Sequence, residues 1–182
     1  MNFQANEPGP RYNASDAAQL IAGTNDDLAH VVNQLRRLAQ KGEVEARGTS
    51  GSGRTAGNLY ALSDIAVARI QRALVHLGLS DGEISREAHF GCYRGSHRTT
   101  ENPNGHPITD ALVAHKGPHF PGDWVFQIDF TGLDAEGNRQ IKATIFDQSK
   151  TANGYHPARA AMIQIPLRPW LGTLAKLLDP VT

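Results

Sequence analysis

TNDDLAHVVNQLRRLAQKG, residues 24–42, is the stretch on which the reading of this chain turns. Leu28, Val31, Val32, Leu35, Leu38 and Ala39 recur at helical spacing and share one side, which predicts an amphipathic helix over residues 26–40 with that side on a core. Thr24 or Asn25 can cap it, Asp26 and Asp27 complement the positive end of the helix dipole, and Gly42 ends it. The opposite side carries His30, Asn33, Arg37 and Lys41, with Gln34 and Arg36 on its flanks. Nearly every group there donates hydrogen bonds.

Outward from this helix, GEVEARG and NLYALSD contain Val44 and Ala46, then Leu59, Tyr60 and Leu62, and so predict two short strands around the Gly- and Ser-rich TSGSGRTAG. Together they read as a β-hairpin over residues 43–62, with Arg47 and Arg54 on or beside its tip. Upstream, NASDAAQLIAG predicts a short first helix with Asn13 or Ser15 as cap and Gly23 as stop. Residues 1–10, with Pro8, Gly9 and Pro10 and no apolar period, read as a flexible leader. Downstream, Ser63 is placed as the cap of a third helix that runs to Leu77 before Gly78, and the spacing of Ser80 and Glu83 suggests a capping box for a fourth that runs to about Phe90.

Taken in order, these elements resemble the DNA-binding domain of MerR-like regulators, a winged helix-turn-helix. The resemblance rests on Tyr12, Ala17, Ala18 and Leu20, on LRRLAQKGEVEAR, and on NLYALSDIAVARIQRALVHLGLSDGEI, where Tyr60, Ser63, Asp64, Leu77, Gly78 and Ser80 hold the motif positions. It covers under half of the chain. The segment between Gly23 and Gly42 is longer than the family pattern, and the chain turns to Gly and Pro after Phe90, where that family continues into a long dimerising helix. The resemblance implies sequence-specific binding of double-stranded DNA, most simply by a transcriptional regulator acting as a homodimer, with an excisionase-like or architectural accessory factor as the alternative. Asn, Gln and Arg on a helix match base edges in the major groove, so His30, Asn33, Gln34 and Arg37 are the expected base contacts. Arg36, Lys41, Arg47 and Arg54 are the expected phosphate contacts.

The rest of the chain is less specific. Residues 91–122 are rich in Gly, Pro, His and Asn and read as linker or irregular structure around one short helix from Ile108 to His115. Residues 123–182 predict a small α+β domain. In it DWVFQIDFTGL and NRQIKATIFDQ form an antiparallel hairpin, with Trp124, Phe126, Ile128 and Phe130 on one face and Val125, Gln127, Asp129 and Thr131 on the other. A third short strand and an amphipathic helix containing Leu171, Leu174, Leu177 and Leu178 follow. The expected fold class is thus α+β, residues 11–90 as the winged domain and 123–182 as a second domain for dimerisation or for a small-molecule or protein partner.

Charge does not announce the partner: 18 basic residues balance 18 acidic ones over 182 positions. The single cysteine, Cys92, excludes an intrachain disulfide and suggests a reducing, cytoplasmic setting, and no apolar run reaches membrane-spanning length. His89, Cys92 and His97, with His106, His115 and His119 beyond, match no structural-zinc spacing, so neither metal nor other cofactor is expected. His119, Asp123, Asp129 and Asp147 are framed by no nucleophile elbow, phosphate loop or paired-carboxylate spacing, and catalysis is not expected either.

Overall fold

The computed structural model describes residues 11–51, 57–94, 102, 104–115, 123–133, 135–150 and 159–178. The expected leader and Arg54 lie outside them, as does part of the expected linker. A helix leaves its first N–H groups without partners, and short polar side chains supply them here. Helix α1 (Ala14–Ile21) is capped by Asn13, whose side-chain oxygen accepts from the Ser15 and Asp16 N–H groups at 2.9 and 3.0 Å. Helix α2 (Leu28–Gln40) is capped by Asp27 through the Ala29 N–H, in place of Thr24 or Asn25. Asp26 instead turns back to accept the Gly23 N–H and to pair with Arg72. Helix α3 (Leu62–His76) starts ahead of Ser63, and Asp64 in its first turn accepts the Ala61 N–H at 2.8 Å. Helix α4 (Gly82–Tyr93) is capped by Asp81 in place of Ser80. The end of α2 needs a left-handed residue, and Gly42 takes φ 71° there while Glu43 N–H returns to the Leu38 carbonyl at 2.9 Å.

Two small antiparallel sheets complete the architecture. The first has the order β1-β3-β2 from β1 (Tyr12–Asn13), β2 (Thr49–Ser50) and β3 (Gly57–Tyr60). The hairpin is thus present but shorter than expected: Val44 is buried ahead of it and Leu62 already belongs to α3. Its pairing extends to Arg47, whose N–H donates to the Leu59 carbonyl at 2.8 Å. The strand β1 was not foreseen, two residues being too few to carry a period.

The second sheet has the order β5-β4-β6, from β4 (Trp124–Leu133), β5 (Arg139–Asp147) and β6 (Arg159–Pro166). Phe126 pairs with Ile145 and Ile165, and Ile128 with Ala143 and Ile163, so one face is apolar across all three strands. On the other face Gln127 sits between Thr144 and Gln164 and is buried, accepting the Gln164 amide at 2.7 Å.

The remaining helices, α5 (Pro107–Ala114) and α6 (Arg168–Ala175), close the core. Within the segment read as a linker, α4 continues to Tyr93 and α5 buries Ile108, Ala111 and Leu112. One hydrophobic cluster runs from Ala17 and Leu35 through α3 to Phe126, Ile165 and Leu174, so both halves of the chain share a core. Burial of Val31, Leu35 and Leu38 ties α2 to it, each contributing roughly 2 kcal/mol. Arg69 binds the halves directly: its guanidinium donates to the Leu20 carbonyl at 2.9 Å, near the end of α1, and to the Trp170 carbonyl at 2.5 Å in α6. The described chain is therefore a mixed α+β structure of six helices and two sheets, and no described helix is long and apolar enough to cross a membrane.

Cys92 is fully buried in this core, and burial pushes its thiol far above the ordinary range. Only a thiolate attacks a disulfide reagent. Native protein at pH 8 is expected to resist Ellman's reagent over hours and to react at once in urea; rapid labelling without denaturant would contradict the buried placement.

Candidate functional site

The outward side of α2 is built by the same spacing that buries its other side. With Val31, Leu35 and Leu38 inward, the chain projects His30, Asn33, Arg36, Arg37, Gln40 and Lys41 into solvent. Of these, Asn33 and Gln40 lie farthest from the buried stripe. Gln40 was missed on sequence, although a helical wheel places it opposite Val31. Gln34 is only half exposed, because its position borders Leu38.

No Asp or Glu occurs between Leu28 and Gln40. Among the described residues Arg36 and Arg37 form no ion pair, while Lys41 lies 3.9 Å from Glu43 with its own side chain 69% exposed. Burial raises the Tyr60 phenol, and the charge of Arg36 is among the causes that oppose this. The exposed face therefore offers two unneutralised guanidiniums, an ammonium and two amides. Such a set can donate to phosphate oxygens and pair with base edges.

Arg47 does not belong to this face. Its side chain is 7% exposed and pairs with Glu45 at 2.6 Å and with Asp64 at 3.3 Å, so it is no phosphate contact. The physical reason is Asp64, fully buried at the start of α3, which needs a cation beside it. Tyr93 in α4 donates to the same carboxylate at 2.8 Å and accepts the Glu45 N–H at 3.3 Å. Burial and then the Asp64 charge hold the phenol well above its usual range, so it stays a donor. His106, held by Asn102 through its backbone N–H and carbonyl, brings Nδ1 to 3.4 Å from Arg47. The group joins the root of the hairpin to α3, α4 and the segment before α5. Sequence reasoning missed it, since its members are spread from position 45 to 106.

The histidines and cysteine weighed as metal ligands are dispersed. His89 meets Phe90 edge-on and Tyr93 at a tilt, Cys92 is in the core, and His115 approaches the Ala111 carbonyl through Nδ1 at 2.6 Å. His97 and His119 lie outside the described residues. Among those described, no three His, Cys, Asp or Glu side chains gather as a metal site. Asp129 and Asp147 are likewise engaged locally, with the Gln127 amide and with Ser149 and Lys150. No protein-family model matches the chain, and no curated protein is similar to it.

Proposed function

We propose that this protein binds double-stranded DNA, with α2 entering the major groove and the β2–β3 hairpin serving as a wing, as a cytoplasmic transcriptional regulator that acts as a homodimer. The observation that carries this reading is the outward side of α2: exposed Asn33, Arg37 and Gln40, flanked by Arg36 and Lys41, with no carboxylate on the helix. An ordinary solvated helix mixes charges of both signs, often in i,i+4 pairs, and this one does not. The order of strand, two helices and hairpin around a shared core supports the winged helix-turn-helix arrangement. Asn33, Gln40 and Arg37 read base edges, with His30 and Gln34 at the margins of the contact. Arg36, Lys41 and Arg54 hold phosphates. Two copies reading paired half-sites would give such a module its specificity, and sedimentation of the purified protein checks the dimer.

Selection of duplexes from a random pool supplies the test. Asn33→Ala combined with Arg37→Ala is expected to weaken binding to the selected duplex about a hundredfold, since each bidentate pair supplies about 1–3 kcal/mol. Thermal stability should be unchanged, because both side chains are off the core. Equal binding by wild type and double variant, or a pool that never enriches, sinks the assignment.

A further inference from the structure

A cleft of about 410 Å³ opens between the end of α1, one side of α3 and the start of α6, a size suited to a small molecule. Ile21, Pro169 and Trp170 give it an apolar wall, and Arg69 and Arg72, on one side of α3, bring positive charge, with the His76 imidazole one turn beyond. Among the described residues Asp26 is the single carboxylate in its lining. The two arginines differ in their commitments. Arg69 is taken up by the Leu20 and Trp170 carbonyls and by Thr173. Arg72 is 8% exposed and pairs through Nη2 with Asp26 at 2.6 Å, while its Nη1 is buried with no hydrogen-bond partner among the described residues. An anion in the cleft can take the place of Asp26 at Nη2, the guanidinium nitrogen that this carboxylate holds.

We propose that this cleft binds a small organic anion with a flat apolar body, its anionic end drawn to Arg72 and His76 and its body laid against Trp170. The ligand competes with Asp26 for Arg72. Asp26 also accepts the Gly23 N–H and stands immediately before the cap of α2, so that competition is felt in the turn that carries α2. The site does not rest on DNA binding, and its test contains no DNA.

Benzoate and phenyl phosphate serve as probes, with benzyl alcohol as the neutral counterpart. The chain has two tryptophans, so a Trp124→Phe background leaves Trp170 as the reporter. Saturation-transfer NMR on the wild-type protein gives the same affinities without any substitution. Either anion is expected to bind saturably and at least about tenfold more tightly than the alcohol, a step of about 1.4 kcal/mol. The tighter of the two anions identifies the head group. Asp26→Asn removes the internal competitor and should tighten the anion about fivefold, whereas His76→Glu should weaken it by a similar factor. Opposite shifts from two substitutions in one cleft are not produced by a general loss of structure. The proposal is overturned if neither anion saturates, if benzyl alcohol binds as well, or if Asp26→Asn leaves the affinity unchanged.

Discussion

Asp64→Ala is expected to lower the unfolding free energy by about 3 kcal/mol, the lower end of what breaking a buried ion pair costs. Asp64 is fully buried and receives the Ala61 N–H, the Tyr93 hydroxyl and the Arg47 guanidinium. Its removal leaves a phenol and a helix-start N–H without that acceptor and takes from Arg47 one of its two carboxylate partners among the described residues, the other being Glu45. That remaining pair is why the loss stays at the lower end of the range. For a chain of this size the midpoint of thermal unfolding should fall by about 6–12 °C. Asp64→Asn keeps an acceptor and loses only the charge, so about half the effect is expected. Urea titrations followed by circular dichroism measure both. A loss below about 1 kcal/mol for the alanine variant would mean that Arg47 is neutralised without Asp64.

Gly91→Ala is the second large effect, and its sign is a contest. Alanine improves the intrinsic helix tendency of α4 by about 1 kcal/mol. Against that, a Cβ at Gly91 would stand 2.6 Å from the carbonyl carbon and oxygen of Ala143 and 2.9 Å from its Cβ. Those atoms belong to the central part of β5 and have no rotamer to give way. The helix must lift from the sheet, with an overpacking cost of about 3 kcal/mol or more, and the net change should be a loss of about 2 kcal/mol. Gly82→Ala is the control, since it sits at the start of the same helix with nothing near its missing Cβ. It should be neutral or slightly stabilising. If both substitutions behave alike, α4 does not rest on β5 at Gly91.

The contrast between these glycines explains what was legible in the sequence. The spacing of Val31, Leu35 and Leu38 announced α2 because a helix writes its buried stripe locally, every third or fourth residue. For the same reason the exposed candidates His30, Asn33, Arg36, Arg37 and Lys41 were legible as a face. Gly91 was read as the opening of an irregular segment, because a glycine otherwise weakens a helix. Its purpose is visible only once Ala143 lies against it. Arg47 was misread in the same way: beside a Gly- and Ser-rich tip it resembles a phosphate contact, and nothing local reveals that Asp64 faces it. Gln127 fitted the polar face of an alternating strand, yet Gln164 on a strand formed much later covers it. Periodicity resolved each element's two sides, while tertiary partners decided which polar side chains were withdrawn from solvent.

The clasp made by Arg69 bears on the order of events during folding. It joins the end of α1 to a carbonyl that lies 101 positions beyond the arginine. Closing so long a loop costs entropy before any contact repays it, and such non-local closures set the pace of folding. While the chain is being synthesised, α1, α2 and the first sheet can form early, but the face of α3 that receives α6 waits, uncovered, for residues near position 170. Until then the immature protein presents apolar surface to its surroundings, and chaperone dependence would be concentrated in that interval.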